Sequence, residues 1–82
     1  MKLKIVYRKN LKMTEGKVAA QCVHAAIGLG VTDPLMSVIV LRVSDKKFYE
    51  IIESKENIYV VQDLGLTEVP PGTKTCAAFY EE

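Results

Sequence analysis

The 82-residue sequence lacks most features that mark membrane, secreted or metal-binding proteins. Its two cysteines, Cys22 and Cys76, fit no metal-ligand spacing, and a single pair is not a disulfide framework. The amino-terminal apolar run is soon interrupted by Arg8 and Lys9, whereas a secretory signal or a membrane span needs a longer one. These absences predict a cytoplasmic protein with two reduced thiols, no metal ion and no contact with a membrane.

Linkers, internal repeats and low-complexity tracts are also missing from the sequence. Hydrophobic residues make up 49% of the chain and charged residues 26%, which is typical of a folded protein. Disordered chains have fewer apolar residues and a larger charge imbalance. Because a chain of this length has room for one domain, we expect residues 1–82 to form a single domain.

The net charge of +1 conceals a basic amino-terminal segment. Residues 1–17 carry six basic side chains and one acid, whereas residues 18–82 carry five basic and nine acidic side chains. A locally basic segment can attract a polyanion even when the total charge is small. The same lysines could equally solvate a strand edge and a loop, so the charge pattern alone leaves both interpretations open.

Hydrophobic periodicity predicts an α/β fold with the element order β-α-β-α-β-β. The predicted strands are residues 3–7, 37–43, 58–62 and 75–80. The run 37–43 is almost continuously apolar and β-branched, which is typical of a strand covered on both faces. Since no helix precedes the last strand, we expect that strand to lie antiparallel to a neighbour in a four-stranded mixed sheet flanked by helices.

Two helices are predicted, and the first has an unusual surface. It should begin after Thr14, a plausible cap, and end near Gly28, while the second should run from a Ser44-Asp45 cap to about Lys55. At 100° per residue the first helix is apolar nearly all round except for one narrow polar stripe. The stripe consists of Lys17, Gln21 and His24, with Gly28 at its end.

This polar stripe predicts a cleft that holds an anionic or carbonyl-bearing ligand, because buried polar groups need partners. The alternative is that Lys17 buries its aliphatic chain and extends its ammonium group into water. His24 would then be a core histidine whose ring is hydrogen-bonded within the protein. A second candidate is Asp63, which follows an apolar strand where ligand sites of α/β sheets gather. The alternative interpretation of Asp63 is that it only stabilises a turn.

Two segments together resemble the type II peptidyl-tRNA hydrolase family. The stretch YRKNLKMTEGKVAAQCVHAAIG is similar to a family signature that runs from an arginine through a D-L-K-M-like stretch to G-K-x-A-A-Q-C-x-H-A. The stretch DLGLTEVPPGTKT is similar to the family's carboxyl-terminal signature, D-A-G-x-T-Q-x-x-P-G-T-x-T. Together they cover about 35 of the 82 residues, in the family's order and after strand-like runs.

The resemblance implies hydrolysis of the ester that joins a peptide to the 3′ end of tRNA, without a cofactor. Peptidyl-tRNA is then the partner, and a homodimer is a further expectation. The catalytic positions that match the family pattern are Lys17, His24, Asp63 and Thr67. The positions that match substrate-binding or loop-shaping residues are Arg8, Lys9, Gln21, Gly65, Gly72, Thr73 and Thr75.

These side chains suit ester hydrolysis, which needs a positioned water, a donor for the developing oxyanion and a proton for the leaving hydroxyl. We expect Asp63, helped by Thr67, to orient or deprotonate the water. Lys17 would stabilise the oxyanion or a nearby phosphate, and His24 would organise the pocket. These roles require the cationic side of the first helix and the acidic turn after the third strand to meet across one water-accessible cleft. Asp63 and His24 both remain candidates for the catalytic base.

The sequence also departs from the family pattern, with Asn10 at a usual aspartate, Leu66 at a usual arginine and Glu68 at a usual glutamine. The stretch from Leu29 to Met36 is far shorter than its counterpart, which normally holds further helix, so part of the sheet or cleft could be exposed and covered by self-association. Two alternatives therefore remain: a non-catalytic relative that binds RNA or protein, and a small regulatory module that binds an amino-acid-like ligand.

Overall fold

The computed structural model describes residues 1–63 and 72–82. The described elements are β1 (Lys2–Arg8), α1 (Glu15–Leu29), β2 (Ser37–Val43), α2 (Asp45–Ser54), β3 (Ile58–Gln62) and β4 (Lys74–Glu81). This is the predicted order of strands and helices, and the predicted boundaries agree to within about two residues. Asp63 is the last residue of the first described range and Gly72 is the first residue of the second. The two are hydrogen-bonded to each other beyond the end of β3.

The four strands form one mixed sheet in the order β2-β1-β4-β3. β1 and β2 pair in parallel, while β4 lies between β1 and β3 and is antiparallel to both. The prediction of an antiparallel fourth strand is therefore confirmed. Because β1, β2 and β3 all run in one direction, their carboxyl ends meet at the same edge of the sheet, where α1 also begins.

Both helices begin at the caps that the sequence predicts. The side chain of Thr14 accepts a hydrogen bond from the backbone N–H of Lys17, and Ser44 does the same for Lys47. These bonds satisfy backbone donors that the first turn of a helix leaves without a partner. α1 ends at Gly30, whose φ of +91° lies in the left-handed region that glycine adopts without strain.

The sheet separates two apolar clusters. On one face Leu3, Ile5, Cys76 and Ala78 pack with Ala25 of α1, while on the other Val6, Ala77 and Phe79 pack with Phe48 of α2. Alternate residues of β1 and β4 thus enter opposite clusters, as the two-residue period of a strand requires. Cys22 and Cys76 are free thiols, and Cys76 is fully buried.

The prediction that β2 is covered on both faces is wrong. β2 is an edge strand, and its Val38, Val40 and Leu41 are all exposed. α1 packs mainly on β4 and β3, and α2 has its main strand contacts with β1, so β2 lies outside the area that the two helices cover. Its continuous apolar run is therefore a surface feature in this chain.

Candidate active site

Asp63 lies directly after β3, at the edge of the sheet where the parallel strands end. Its backbone N–H donates to the carbonyl of Thr73 at 2.9 Å, and its own carbonyl accepts from the N–H of Gly72 at 2.6 Å. Gly72 has a φ of +80°, a left-handed conformation that favours glycine. These backbone bonds hold the Asp63 carboxylate, which is buried, against the first turns of α1.

Two residues of the polar stripe on α1 bind the Asp63 carboxylate. Lys17 Nζ donates to Asp63 Oδ2 at 2.7 Å, and Gln21 Nε2 donates to the same oxygen at 3.0 Å. Lys17 and Gln21 are one helical turn apart, so their side chains converge on one point beside the helix. The sequence-predicted pairing of the cationic stripe with the acidic turn after β3 is thus present in the structure.

Two buried side-chain oxygen atoms in this part of the protein have no partner among the described residues. They are Oε1 of Gln21 and Oγ1 of Thr75, both in side chains that are almost completely buried. A buried polar atom without a partner is costly, so such atoms usually meet water, a ligand or another part of the protein. Each can therefore take part in a further hydrogen bond.

The remaining predicted site residues are placed differently. His24 lies on the same stripe of α1 but is exposed, and its ring makes no hydrogen bond within the described residues. Thr73 contributes its backbone carbonyl to the turn that holds Asp63. The predictions for Gly65 and Thr67 fall outside the described residues, as do the two differences from the family pattern at Leu66 and Glu68.

Arg8, one of the positions that match substrate-binding residues of the family, forms contacts within the protein. Its guanidinium forms two bonds of 2.9 and 2.8 Å with the Asp45 carboxylate and a third of 2.9 Å with the carbonyl of Lys74. The paired guanidinium lowers the pKa of the Asp45 carboxyl. Arg8 thus joins β1, β4 and the start of α2, whereas the neighbouring Lys9 is exposed to solvent.

Sequence reasoning missed Asp45 as the partner of Arg8, although a signal was present. Ser44-Asp45 follows β2 directly, and the parallel register places Arg8 beside Val43. The start of α2 therefore had to lie next to the end of β1. Asn10 also reaches this corner, because its side-chain oxygen accepts from the backbone N–H of Asp45 at 3.3 Å.

Among the described residues the structure shows no helix that could span a membrane, since neither α1 nor α2 is long and apolar enough. Within residues 1–63 and 72–82, no three His, Cys, Asp or Glu side chains are grouped so that they could hold a metal ion. The groups that the structure brings together at this edge of the sheet are the Lys17 ammonium, the Asp63 carboxylate and the Gln21 amide.

Comparison with known proteins identifies the family. Residues 1–33 match the family described as Peptidyl-tRNA hydrolase PTH2. The chain is 34% identical to a peptidyl-tRNA hydrolase of Thermoplasma volcanium, over 93% of this chain and 80% of that protein. It is 35% identical to one of Methanopyrus kandleri over 95% and 82%, and 36% identical to one of Thermoplasma acidophilum over 92% and 80%.

These alignments span 94, 95 and 95 positions, more than the 82 residues of this chain, so the relatives carry internal residues that have no counterpart here. The similarity nevertheless extends over most of both chains in each comparison. The family match over residues 1–33 includes the helix that carries Lys17 and Gln21. On this similarity the chain is a member of the peptidyl-tRNA hydrolase family PTH2.

Proposed function

We propose that this protein hydrolyses the ester bond between peptide and tRNA in peptidyl-tRNA and so releases the tRNA for reuse. The observation that carries the proposal is the contact between Lys17 and Asp63 at the carboxyl edge of the parallel strands. An ammonium and a carboxylate held 2.7 Å apart, with a buried amide on the same oxygen, give a hydrolytic site its base and its oxyanion donor.

In the proposed reaction Asp63 orients or deprotonates a water molecule that attacks the ester carbonyl. Lys17 stabilises the negative charge that develops on the carbonyl oxygen or on a nearby phosphate. Lys17 and Gln21 both donate to Oδ2 of Asp63, and these two bonds fix the orientation of the carboxylate. The roles of His24 and Thr67 as further catalytic groups remain predictions, as does the part of Thr75 in substrate binding.

The hydrolase is favoured over the two other functions considered for this sequence. A protein that only bound RNA would have no need of a buried carboxylate held by a lysine and a glutamine, because phosphates are bound by cations and neutral hydrogen-bond donors, and a carboxylate repels them. A regulatory module for amino-acid-like ligands finds no support in the relatives, which are named peptidyl-tRNA hydrolases over most of their length.

The test is hydrolysis of diacetyl-lysyl-tRNA by the wild-type chain and by Asp63→Asn and Lys17→Met. We expect each substitution to lower kcat/KM by about 100-fold to 10,000-fold, the usual contribution of a positioned acid–base group. Glu15→Gln is the matched control, because Glu15 is an exposed residue in the same turn of α1. It should retain nearly full activity.

A gel-shift measurement with the same tRNA separates the proposed function from its alternatives. The hydrolase predicts that Asp63→Asn still binds tRNA while turnover is lost. Wild-type turnover in both site variants would refute the roles given to Lys17 and Asp63. Binding of tRNA by the wild-type chain without any turnover would establish the non-catalytic alternative instead.

A further inference from the structure

The two cysteines of the chain, which the proposed reaction does not use, meet between α1 and β4. Cys22 of α1 packs on the apolar cluster that contains Cys76 of β4. Both are free thiols, and their side chains are hydrogen-bonded to each other. Because they come from distant parts of the sequence, it is the packing of α1 on the sheet that brings them together.

The surroundings of the two thiols differ. Cys22 is half-buried and forms part of the wall of a groove of about 530 Å³ between α1 and β2, which a small solute can enter. Cys76 is fully buried among aliphatic side chains that include Leu3, Ile5 and Ala78. A reagent that comes from solution therefore meets Cys22 and not Cys76.

The hydrogen bond between the thiols affects their protons unequally. The Cys76 thiol donates to the sulfur of Cys22 and so lowers the pKa of Cys22, against the smaller opposing effect of burial. The same bond, together with burial, raises the pKa of Cys76. The thiolate is the form of cysteine that attacks an oxidant, so Cys22 is the nucleophile of the pair and Cys76 keeps its proton.

We propose that Cys22 is a site of reversible oxidation by hydrogen peroxide and that Cys76, the thiol in contact with it, completes the reaction by forming a disulfide. In the first step the Cys22 thiolate attacks one oxygen of the peroxide. The O–O bond breaks, hydroxide leaves, and the sulfur becomes a sulfenic acid. Cys22 has then lost two electrons to the peroxide.

In the second step the sulfur of Cys76 attacks the sulfenic sulfur of Cys22. The S–O bond breaks, and the proton of the Cys76 thiol goes to the departing hydroxide, which leaves as water. In all, two thiols become one disulfide and the peroxide becomes two molecules of water. A dithiol reductant reverses the reaction by thiol–disulfide exchange.

The disulfide would affect the candidate active site through two sequence neighbours. Gln21, which donates to Asp63 at 3.0 Å, precedes Cys22, and Thr75, whose hydroxyl has no partner among the described residues, precedes Cys76. A covalent S–S bond requires a closer approach than the hydrogen bond that it replaces, so α1 must move relative to β4. This consequence rests on the proposed function: a displacement of about 1 Å should lower kcat/KM by up to about 100-fold.

The first experiment counts thiols and does not depend on hydrolase activity. The reduced chain is treated with a small excess of hydrogen peroxide, and its free thiols are measured with a chromogenic thiol reagent in denaturant. We expect both free thiols to disappear, the intact mass to fall by two hydrogen atoms, and a peptide map to join Cys22 to Cys76. Dithiothreitol should restore both thiols.

Two variants, with folding checked by circular dichroism, isolate the steps of the reaction. In Cys76→Ala the sulfenic acid on Cys22 has no resolving thiol and should be trapped by dimedone. In Cys22→Ala the buried Cys76 should remain a free thiol under the same treatment. Two free thiols in the folded wild-type chain after treatment would overturn the proposal. So would a disulfide that joins two chains instead of closing within one, or equal oxidation of Cys76 in Cys22→Ala.

The second experiment compares hydrolysis of diacetyl-lysyl-tRNA before and after treatment with peroxide. We expect the wild-type chain to lose activity and to regain it with dithiothreitol, whereas Cys22→Ala, the matched control, keeps its activity throughout. Oxidation of methionine does not explain such a result, because methionine sulfoxide is reduced by dedicated enzymes. A disulfide that leaves kcat/KM unchanged would overturn the effect on the site. A reduced chain without hydrolysis would refute the proposed function, and the thiol count would still decide whether the disulfide forms.

Discussion

Gln21 is the residue whose position most constrains the site. It is buried, and one end of its amide donates to Asp63 while the oxygen at the other end has no partner among the described residues. A core glutamine selected only for stability would have both ends paired. The arrangement instead suits a residue that fixes a carboxylate and presents an acceptor to something that enters the site.

Replacing Gln21 by methionine tests this role. The side chain keeps its length but loses both polar atoms, so the bond to Asp63 disappears together with the unpartnered oxygen. We expect kcat/KM to fall by about 10-fold to 100-fold, since a hydrogen bond to a charged group contributes about 1.5–3 kcal/mol. The midpoint of urea unfolding should fall as well, because the buried Asp63 carboxylate loses one of its donors, so activity is compared under conditions in which both chains are folded. An activity equal to that of the wild-type chain would show that Asp63 does not need this bond.

At the residue scale the sequence predicted the pairing of the stripe with Asp63 but not the exposure of each member. The helical repeat places Lys17, Gln21 and His24 on one line. It does not say how far the helix is rotated about its axis. The packing of Ala25 and Cys22 on the sheet determines that rotation, and it buries Gln21 while His24 remains exposed. That packing involves β4, which is distant in sequence.

The contact between α1 and β3 depends on a glycine inside the helix. A Cβ atom at Gly28 would overlap the ring of Tyr59. Glycine lowers helix stability by about 1 kcal/mol relative to alanine, so its presence here has a packing reason. The absence of a side chain allows α1 to lie close to β3, which brings its other end to Asp63.

We therefore expect Gly28→Ala to lower the free energy of unfolding by about 1 kcal/mol, because overpacking costs roughly 1–3 kcal/mol and exceeds the gain in helix propensity. In a Tyr59→Ala background the same substitution should stabilise the protein. Gly16→Ala is the control, since a Cβ there meets nothing within 4 Å. Urea denaturation of the four variants measures the sign change, and a stabilising effect of Gly28→Ala in the wild-type chain would contradict this account.

The ion pair between Arg8 and Asp45 links β1 to α2, and its contribution to the stability of the fold should depend on pH. Arg8 lowers the pKa of the Asp45 carboxyl in the folded protein, whereas in the unfolded chain that pKa should be near 3.9. The pair therefore stabilises the fold fully above about pH 4, and this contribution is lost as the pH falls through the lowered folded pKa.

Asp45→Asn should consequently be less stable than the wild-type chain at neutral pH, and the difference should shrink below about pH 4. Urea denaturation between pH 2.5 and 7, in steps of about half a unit, follows this difference. Glu50→Gln, an exposed carboxylate in the same helix, serves as the comparison. If the difference in free energy of unfolding between the wild-type chain and Asp45→Asn stayed constant as the pH fell, the pairing with Arg8 would not be the source of that difference.

At the element scale the boundaries of helices and strands were predictable because the signals are local. Thr14 and Ser44 act as caps, and Gly30 ends α1, each through bonds within a few residues. The environment of β2 was not predictable in this way. A continuous β-branched run indicates a buried strand only when a helix covers each face, and the positions of α1 and α2 depend on long-range packing.

In the whole molecule, the basic amino-terminal segment and the exposed apolar residues of β2 lie in different places. The basic amino-terminal segment ends at the edge of the sheet that holds Lys17 and Asp63, while the exposed strip of β2 faces another direction. Within the basic segment Arg8 is paired with Asp45, whereas Lys9 and Lys12 are both exposed and lie between β1 and α1. We expect these two lysines to meet the phosphates of tRNA on the way to the site.

Binding of tRNA should therefore weaken as salt concentration rises. Each phosphate contact made by a lysine contributes a slope of about −0.7 to −0.9 in a plot of log K against log salt concentration. We expect the Lys9→Gln, Lys12→Gln double variant to bind tRNA more weakly and to lose roughly one to two units of that slope. Its hydrolysis rate at saturating substrate should be close to that of the wild-type chain, because neither lysine contacts Asp63 in the structure.

The matched control for this prediction is the Lys2→Gln, Lys55→Gln double variant, which removes the same charge. Lys2 begins β1 and Lys55 follows α2, both distant from the edge where Asp63 lies. If binding depended only on the net charge of the molecule, the two double variants would weaken it equally. An unequal loss, with the larger effect at Lys9 and Lys12, would place the path of the tRNA along the basic segment, because screened charges act over only about 8–10 Å.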